Sequence, residues 1–129
     1  MNAKPKNHRD SLQGHHARVI AISGGKGGVG KSTLTINLSV CLSRLNQRVM
    51  ILDADLGLAN IDVLLGLKAQ RNLEDVYSGA CELQDVTLEG PDNIRIIPAS
   101  SGTQSMVNLT SQQNAGLVHA FSDFADSID

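Results

Sequence analysis

Residues 24–33 read Gly24-Gly25-Lys26-Gly27-Gly28-Val29-Gly30-Lys31-Ser32-Thr33, and from Gly25 to Ser32 they fit the phosphate-loop pattern G-x-x-x-x-G-K-[ST]. A polyphosphate is held by many N–H donors converging on one point. Side chains on the loop would block that approach, so glycine lets the backbone close in. Lys31 can then reach the outer phosphates, and the Ser32 hydroxyl is placed to ligate Mg²⁺. Residues 25–33 are the candidate nucleotide cradle, and Lys26 adds a second cation inside it.

The same glycines, Gly25, Gly27 and Gly30, also spell G-x-G-x-x-G, and Asp53 lies roughly 20 residues on, where a dinucleotide fold places its ribose-binding acid. Lys31-Ser32 directly after the last glycine decides against that reading, because a dinucleotide site needs no phosphate-reaching lysine. A second acid, Asp55, would also have no part in holding a ribose. A flexible glycine-rich linker is excluded by what flanks the loop. Arg18-Val-Ile-Ala-Ile-Ser23 is a β-branched run suited to a buried strand. After Ser32, Leu34, Leu38, Cys41, Leu42 and Leu45 recur at helical spacing. Strand, loop and helix in that order aim a helix N-terminus at an anion.

Arg48-Val-Met-Ile-Leu52 predicts the next buried strand, ending in Asp53-Ala-Asp55-Leu-Gly57. In parallel α/β sheets ligands bind beyond the carboxyl ends of strands, so Asp53 and Asp55 are expected on the same edge as the loop. Two carboxylates beside a triphosphate repel it unless Mg²⁺ intervenes, which argues for a metal-bound nucleotide. Asn46 is expected to end the first helix in the left-handed conformation.

Composition sets the boundaries. The formal net charge is −2, aromatic residues make up 2% and there is no tryptophan, so neither a stacking platform nor a strongly basic nucleic-acid face is expected. Residues 1–18 carry net +3 and the remainder −5. The polar start, residues 1–17, is read as a disordered tail, and the adjacent His15 and His16 in it make a poor metal site. Cys41 and Cys81 form no disulfide framework; Cys41, on the apolar stripe of the first helix, is expected in the core. No apolar run approaches a membrane span, and a cytoplasmic location fits.

The chain resembles a known family. Lys26-Gly-Gly-Val-Gly-Lys31-Ser-Thr matches the deviant Walker A box of the MinD/ParA ATPases, whose signature is the extra lysine. Three further stretches, Leu52 to Gly66, Asn72-Leu-Glu-Asp-Val76 and Ile96 to Ser105, are similar to the MinD-like regulators of flagellar number and placement, the FleN/FlhG branch. The resemblance implies a P-loop α/β fold with a largely parallel sheet, ATP and Mg²⁺ as cofactors, and an ATP-dependent homodimer. It implies roles for single residues too. Lys26 reaches the partner subunit's phosphates, Asp53 holds the Mg²⁺ shell with Ser32, and Asp55 orients the attacking water. Lys26, Lys31 and Asp55 are then the catalytic set. Partners implied are the flagellar GTPase FlhF, a flagellar transcription regulator and the inner membrane surface, the last through a C-terminal helix outside this sequence.

The second switch of that family, an apolar strand ending in Asp-Thr-x-x-Gly, is absent from residues 90–129. Thr110-Ser-Gln-Gln113 opens a helix as a capping box, with Leu117, Val118, Phe121 and Phe124 on one face. Residues 18–129 therefore read as the N-terminal part of the domain. Alone they are expected to bind ATP weakly and hydrolyse it hardly at all. Asp10-Ser-Leu-Gln-Gly14 departs from the Asp-Gln-Ala activator motif of flagellar members. Leu56 to Asn60 is expected to be the mobile first switch. Ile61, Val63, Leu64, Leu65 and Leu67 are read as core. Glu74, Asp75, Glu82, Asp85 and Glu89 are read as a solvated face, and His119 as a surface position. The function expected is a dimerisation switch. Its rivals are a ParA-like partitioning ATPase and a non-catalytic nucleotide-binding fragment.

Overall fold

The computed structural model describes residues 17–53, 61–98 and 110–129. Helix α1 (Lys31–Arg44) leads to strand β1 (Met50–Leu52), then to the short helices α2 (Ile61–Leu64), α3 (Leu73–Tyr77) and α4 (Leu83–Val86). Strands β2 (Leu88–Glu89) and β3 (Arg95–Ile97) are joined through a 3₁₀ turn at Pro91–Asn93, and helix α5 (Ser111–Ala125) follows. The described strands form one sheet in the order β1–β3–β2. β1 runs parallel to β3 with Ile51 opposite Ile96, and β2 runs antiparallel to β3.

Helices cover both faces of this sheet, as a parallel arrangement requires. Side chains alternate across a strand, so neighbours divide between two cores. Ile96 and Ile51 join Ile94 and Ile61 on the face covered by Ile36 and Val40 of α1. Ile97 joins Leu73, Leu83 and Val86 on the other face, where Leu117, Phe121 and Phe124 of α5 close over them. Ile96, Ile97 and Leu73 are wholly buried.

Local chemistry sets the helix ends. The Thr110 side chain accepts from the Gln113 amide at 3.2 Å while the Thr110 N–H donates to Gln113 Oε1 at 2.9 Å, the expected capping box. Asn46 takes φ 62° after α1, as expected. Two acids assigned to a solvated face do more than that. Asp75 and Asp85 accept from the backbone N–H groups of Asn72 (3.0 Å) and Glu82 (2.9 Å) and so start α3 and α4.

Other expectations are corrected. Residues 18–23 form no strand, and Val19 and Ile20 are 90% and 61% exposed. A strand needs a hydrogen-bonded neighbour along at least one side, and among the described residues this segment joins no strand ladder. Arg18 N–H donates to the Asp129 carbonyl at 2.8 Å, and Asp129 N–H donates to the Arg48 carbonyl at 2.9 Å. Residue 129 thus bridges the segment at Arg18 and the segment at Arg48. The stripe of α1 holds only in part: Ile36, Ser39 and Val40 face the core, Leu38 and Leu42 are half-buried, and Leu34 and Leu45 are mostly exposed. Cys41, expected in the core, is exposed with them, whereas Cys81 packs against the second core. Val118 is also exposed, off the buried face of α5, as are Val63 and Leu64 in the run from Ile61. The tail through His16, residues 54–60 with Asp55, and residues 99–109 lie outside the described residues.

Candidate phosphate-binding site

The loop at 24–30 passes into α1 with Gly28 at φ 77° and Gly30 at φ 90°. Both angles fall in the left-handed region that a Cβ penalises by ~1–2 kcal/mol, so the turn itself demands glycine there. Gly30 is the N-cap of α1 and offers no side chain to the first turn, which holds no acidic residue either. The first intrahelical bond runs from Leu34 N–H to the Gly30 carbonyl at 2.9 Å. The amides of Lys31, Ser32 and Thr33 therefore point out of the helix end, where the helix dipole favours an anion.

Lys31 folds back over this turn. Its ammonium donates to the Gly24 carbonyl at 3.4 Å. The stem lies so close that a Cβ on Gly24 would sit 3.3 Å from Lys31 Cδ and 3.4 Å from Val29 Cγ2. A side chain at position 24 would thus press on the Lys31 stem, a closeness the pattern from Gly25 onward does not signal. Lys26 lies on the exposed part of the loop. Ser32 is half-buried one residue after Lys31, and Thr33 is exposed beside it.

Asp53 stands just past the carboxyl end of β1, where its N–H extends the ladder to the Ile97 carbonyl at 3.0 Å. It is 8% exposed. Its Oδ2 accepts from the Ile61 N–H at the start of α2, 3.3 Å away. A buried carboxylate needs such donors, and this one fixes the side chain between β1 and α2. No sequence pattern pairs residues 53 and 61; only the return of the chain does. Asp55 and the loop from Leu56 to Asn60 lie outside the described residues, so the second acid of the pair is not located. His119 is exposed and pairs with Asp123 at 3.3 Å, one helical turn away and outside this site.

Residues 15–120 match the family described as ParA, NUBPL iron-transfer P-loop NTPase. The antiactivator FleN of Pseudomonas aeruginosa is 60% identical over 115 residues, covering 89% of this chain and 41% of that protein. The flagellum site-determining protein YlxH of Helicobacter pylori is 40% identical over 105 residues, covering 81% of this chain and 35% of that protein. Among solved structures, the septum site-determining protein MinD complexed with Mg-ADP from Pyrococcus horikoshii superposes with a TM-score of 0.63 at 30% identity, over 81% of this chain and 43% of that one. The chain spans less than half the length of these relatives. The fold is that of a P-loop NTPase with a partial sheet.

Proposed function

Because the chain belongs to the ParA family of P-loop NTPases, we propose that Gly25 to Thr33 hold the phosphates of Mg-ATP and that Asp53 and Ser32 serve its magnesium. One observation carries this: left-handed glycines deliver an uncapped helix N-terminus and a folded-back lysine to the same turn. The residues present fit the group. Lys26 and Lys31 supply cationic charge, and the α1 amides supply donors. Mg²⁺ is commonly bound by one or two protein oxygens with phosphates and waters completing its shell, and one hydroxyl with one carboxylate suits that pattern. When bound, the metal neutralises charge on the phosphates. Lys31 exchanges the Gly24 carbonyl for a phosphate oxygen. Asp53 stays oriented by the Ile61 amide.

For the longer protein represented by its relatives, the reading is an ATP-dependent dimerisation switch that regulates flagellar number and placement. The identity with FleN supports the flagellar branch. In that reading Lys26 reaches the partner subunit's phosphates, Asp55 orients the attacking water, and the partners are FlhF or a flagellar transcription regulator. Retention on DNA only with ATP, weakening steeply with salt, would instead favour a partitioning ATPase.

Titration calorimetry of the chain with MgADP tests the core of the proposal. Saturable binding is expected, at least about tenfold weaker for Lys31→Ala, equivalent to about 1.4 kcal/mol. Equal affinity of the two proteins would end the reading. Steady-state ATP turnover is expected well below the ~1 s⁻¹ low end of typical enzymes, since the family's second switch motif is absent from these residues.

A further inference from the structure

A recess of about 1480 Å³ opens between α3, α4 and β2 on one side and α5 on the other, and none of its lining belongs to the phosphate loop. Its apolar lining includes Val76, Leu88 and Phe124. One side of it is the outer edge of β2, which among the described residues pairs with β3 alone in the order β1–β3–β2. Gly90 N–H donates to the Ile94 carbonyl at 2.8 Å, and Leu88 stands opposite Ile96 in the same phase. Antiparallel partners alternate between bonded and non-bonded pairs, so Glu89, between them, turns its N–H and C=O outward.

Acidic residues dominate the two walls, with Arg95 and His119 among the lining. Residues 72–92 contain Glu74, Asp75, Glu82, Asp85, Glu89 and Asp92 with no lysine or arginine, and residues 110–129 contain Asp123, Asp126 and Asp129 with none either. Arg95 lines the recess, but its guanidinium is engaged by Ser127 Oγ at 2.6 Å and by the Phe124 ring at 5.3 Å. Glu82, Glu89 and Asp123 line the recess with no lysine in its lining, Asp123 being paired with His119 one turn away at 3.3 Å. We propose that this groove docks an extended peptide segment of another protein bearing lysine or arginine, its backbone added at the β2 edge and its cations met by Glu89 and Asp123. Strand addition supplies backbone hydrogen bonds, and the opposed charge selects the partner.

The probe is a fluorescein-labelled peptide of alternating lysine and valine, titrated by anisotropy into the full 129-residue chain. Saturable binding is expected, and a glutamate–valine peptide should not bind. Glu89→Lys and Asp123→Lys, one on each wall and both at exposed positions, should together weaken it at least about tenfold, while Glu74→Lys, the same change of charge outside the recess, alters it less than about twofold. N-methylation of one central valine of the peptide should cost several-fold, because it removes the edge hydrogen bond. The proposal is overturned if the acidic peptide binds equally, if the three substitutions act alike, or if the N-methylated probe binds unchanged. It is also overturned if the probe binds only after residues 1–17 are removed, which would assign the groove to the chain's own basic tail.

Discussion

Arg48 and Asp129 grip each other through backbone and side chain together. The Arg48 N–H and its guanidinium each donate to the Asp129 carboxylate at 2.8 Å, while the Asp129 N–H donates back to the Arg48 carbonyl at 2.9 Å. The pair fastens the far end of the chain beside the segment entering β1, and through the Asp129 carbonyl it also holds Arg18. It joins three stretches that are remote in sequence.

This pair yields a pH prediction. The hydrogen bond to Asp129, aided by its charge and opposed by desolvation, holds the Arg48 guanidinium above its ordinary pKa. A raised folded-state value means the stabilisation is fully present below the unfolded value and is lost only as pH rises through the still higher folded one. Arg48→Gln should therefore lower the melting temperature by the same amount at neutral pH and at about pH 10. A gap between the two proteins that closes by about pH 10 would contradict it.

The exposed run before the loop and the buried run of β3 should respond oppositely to truncation. Ile96 is wholly buried, and Ile96→Ala should cost about 2–5 kcal/mol in denaturant titrations. Val19 is 90% exposed, and Val19→Ala should shift stability by no more than about 0.5 kcal/mol. Equal losses would mean that residues 18–23 are packed in solution.

Gly90 is fixed by packing rather than by its backbone angles. A Cβ there would lie 2.6 Å from Ile96 Cδ1, inside the first core. Gly90→Ala should destabilise by about 1–3 kcal/mol as Ile96 is displaced. Combining it with Ile96→Val, which removes the clashing methyl, should recover part of that loss in a double-mutant cycle.

Gly24 allows a prediction about binding. Gly24→Ala places a methyl 3.3 Å from the Lys31 stem without requiring a disallowed backbone angle. The expected result is weaker MgADP binding with little change in melting temperature. A variant that binds as well as the parent would show that the Lys31 stem moves aside at no cost.

Loss of a helix cap gives a separate measure of α5. Thr110→Ala removes the acceptor for the Gln113 amide and should cost about 0.5–2 kcal/mol. Thr110→Ser should restore most of it.

Much of this molecule was written locally in the chain. The loop from Gly25 to Ser32, the capping box at Thr110 and the left-handed Asn46 follow from spacing and residue type, because each depends on neighbours within a few positions, and the apolar run ending at Leu52 is legible as a strand although its partner, residues 95–97, is remote. What the tertiary structure decided depends on remote partners. Ile36 and Val40 pack on the sheet while Leu34, Cys41 and Leu45 of the expected stripe are exposed, since a helix with apolar residues on two sides buries the ones that meet a packed surface. Asp53 is held by Ile61 because the chain returns over β1. Residues 18–23 have strand propensity but lie exposed, because a strand exists only where another backbone bonds along it, and these residues form no ladder with any described strand.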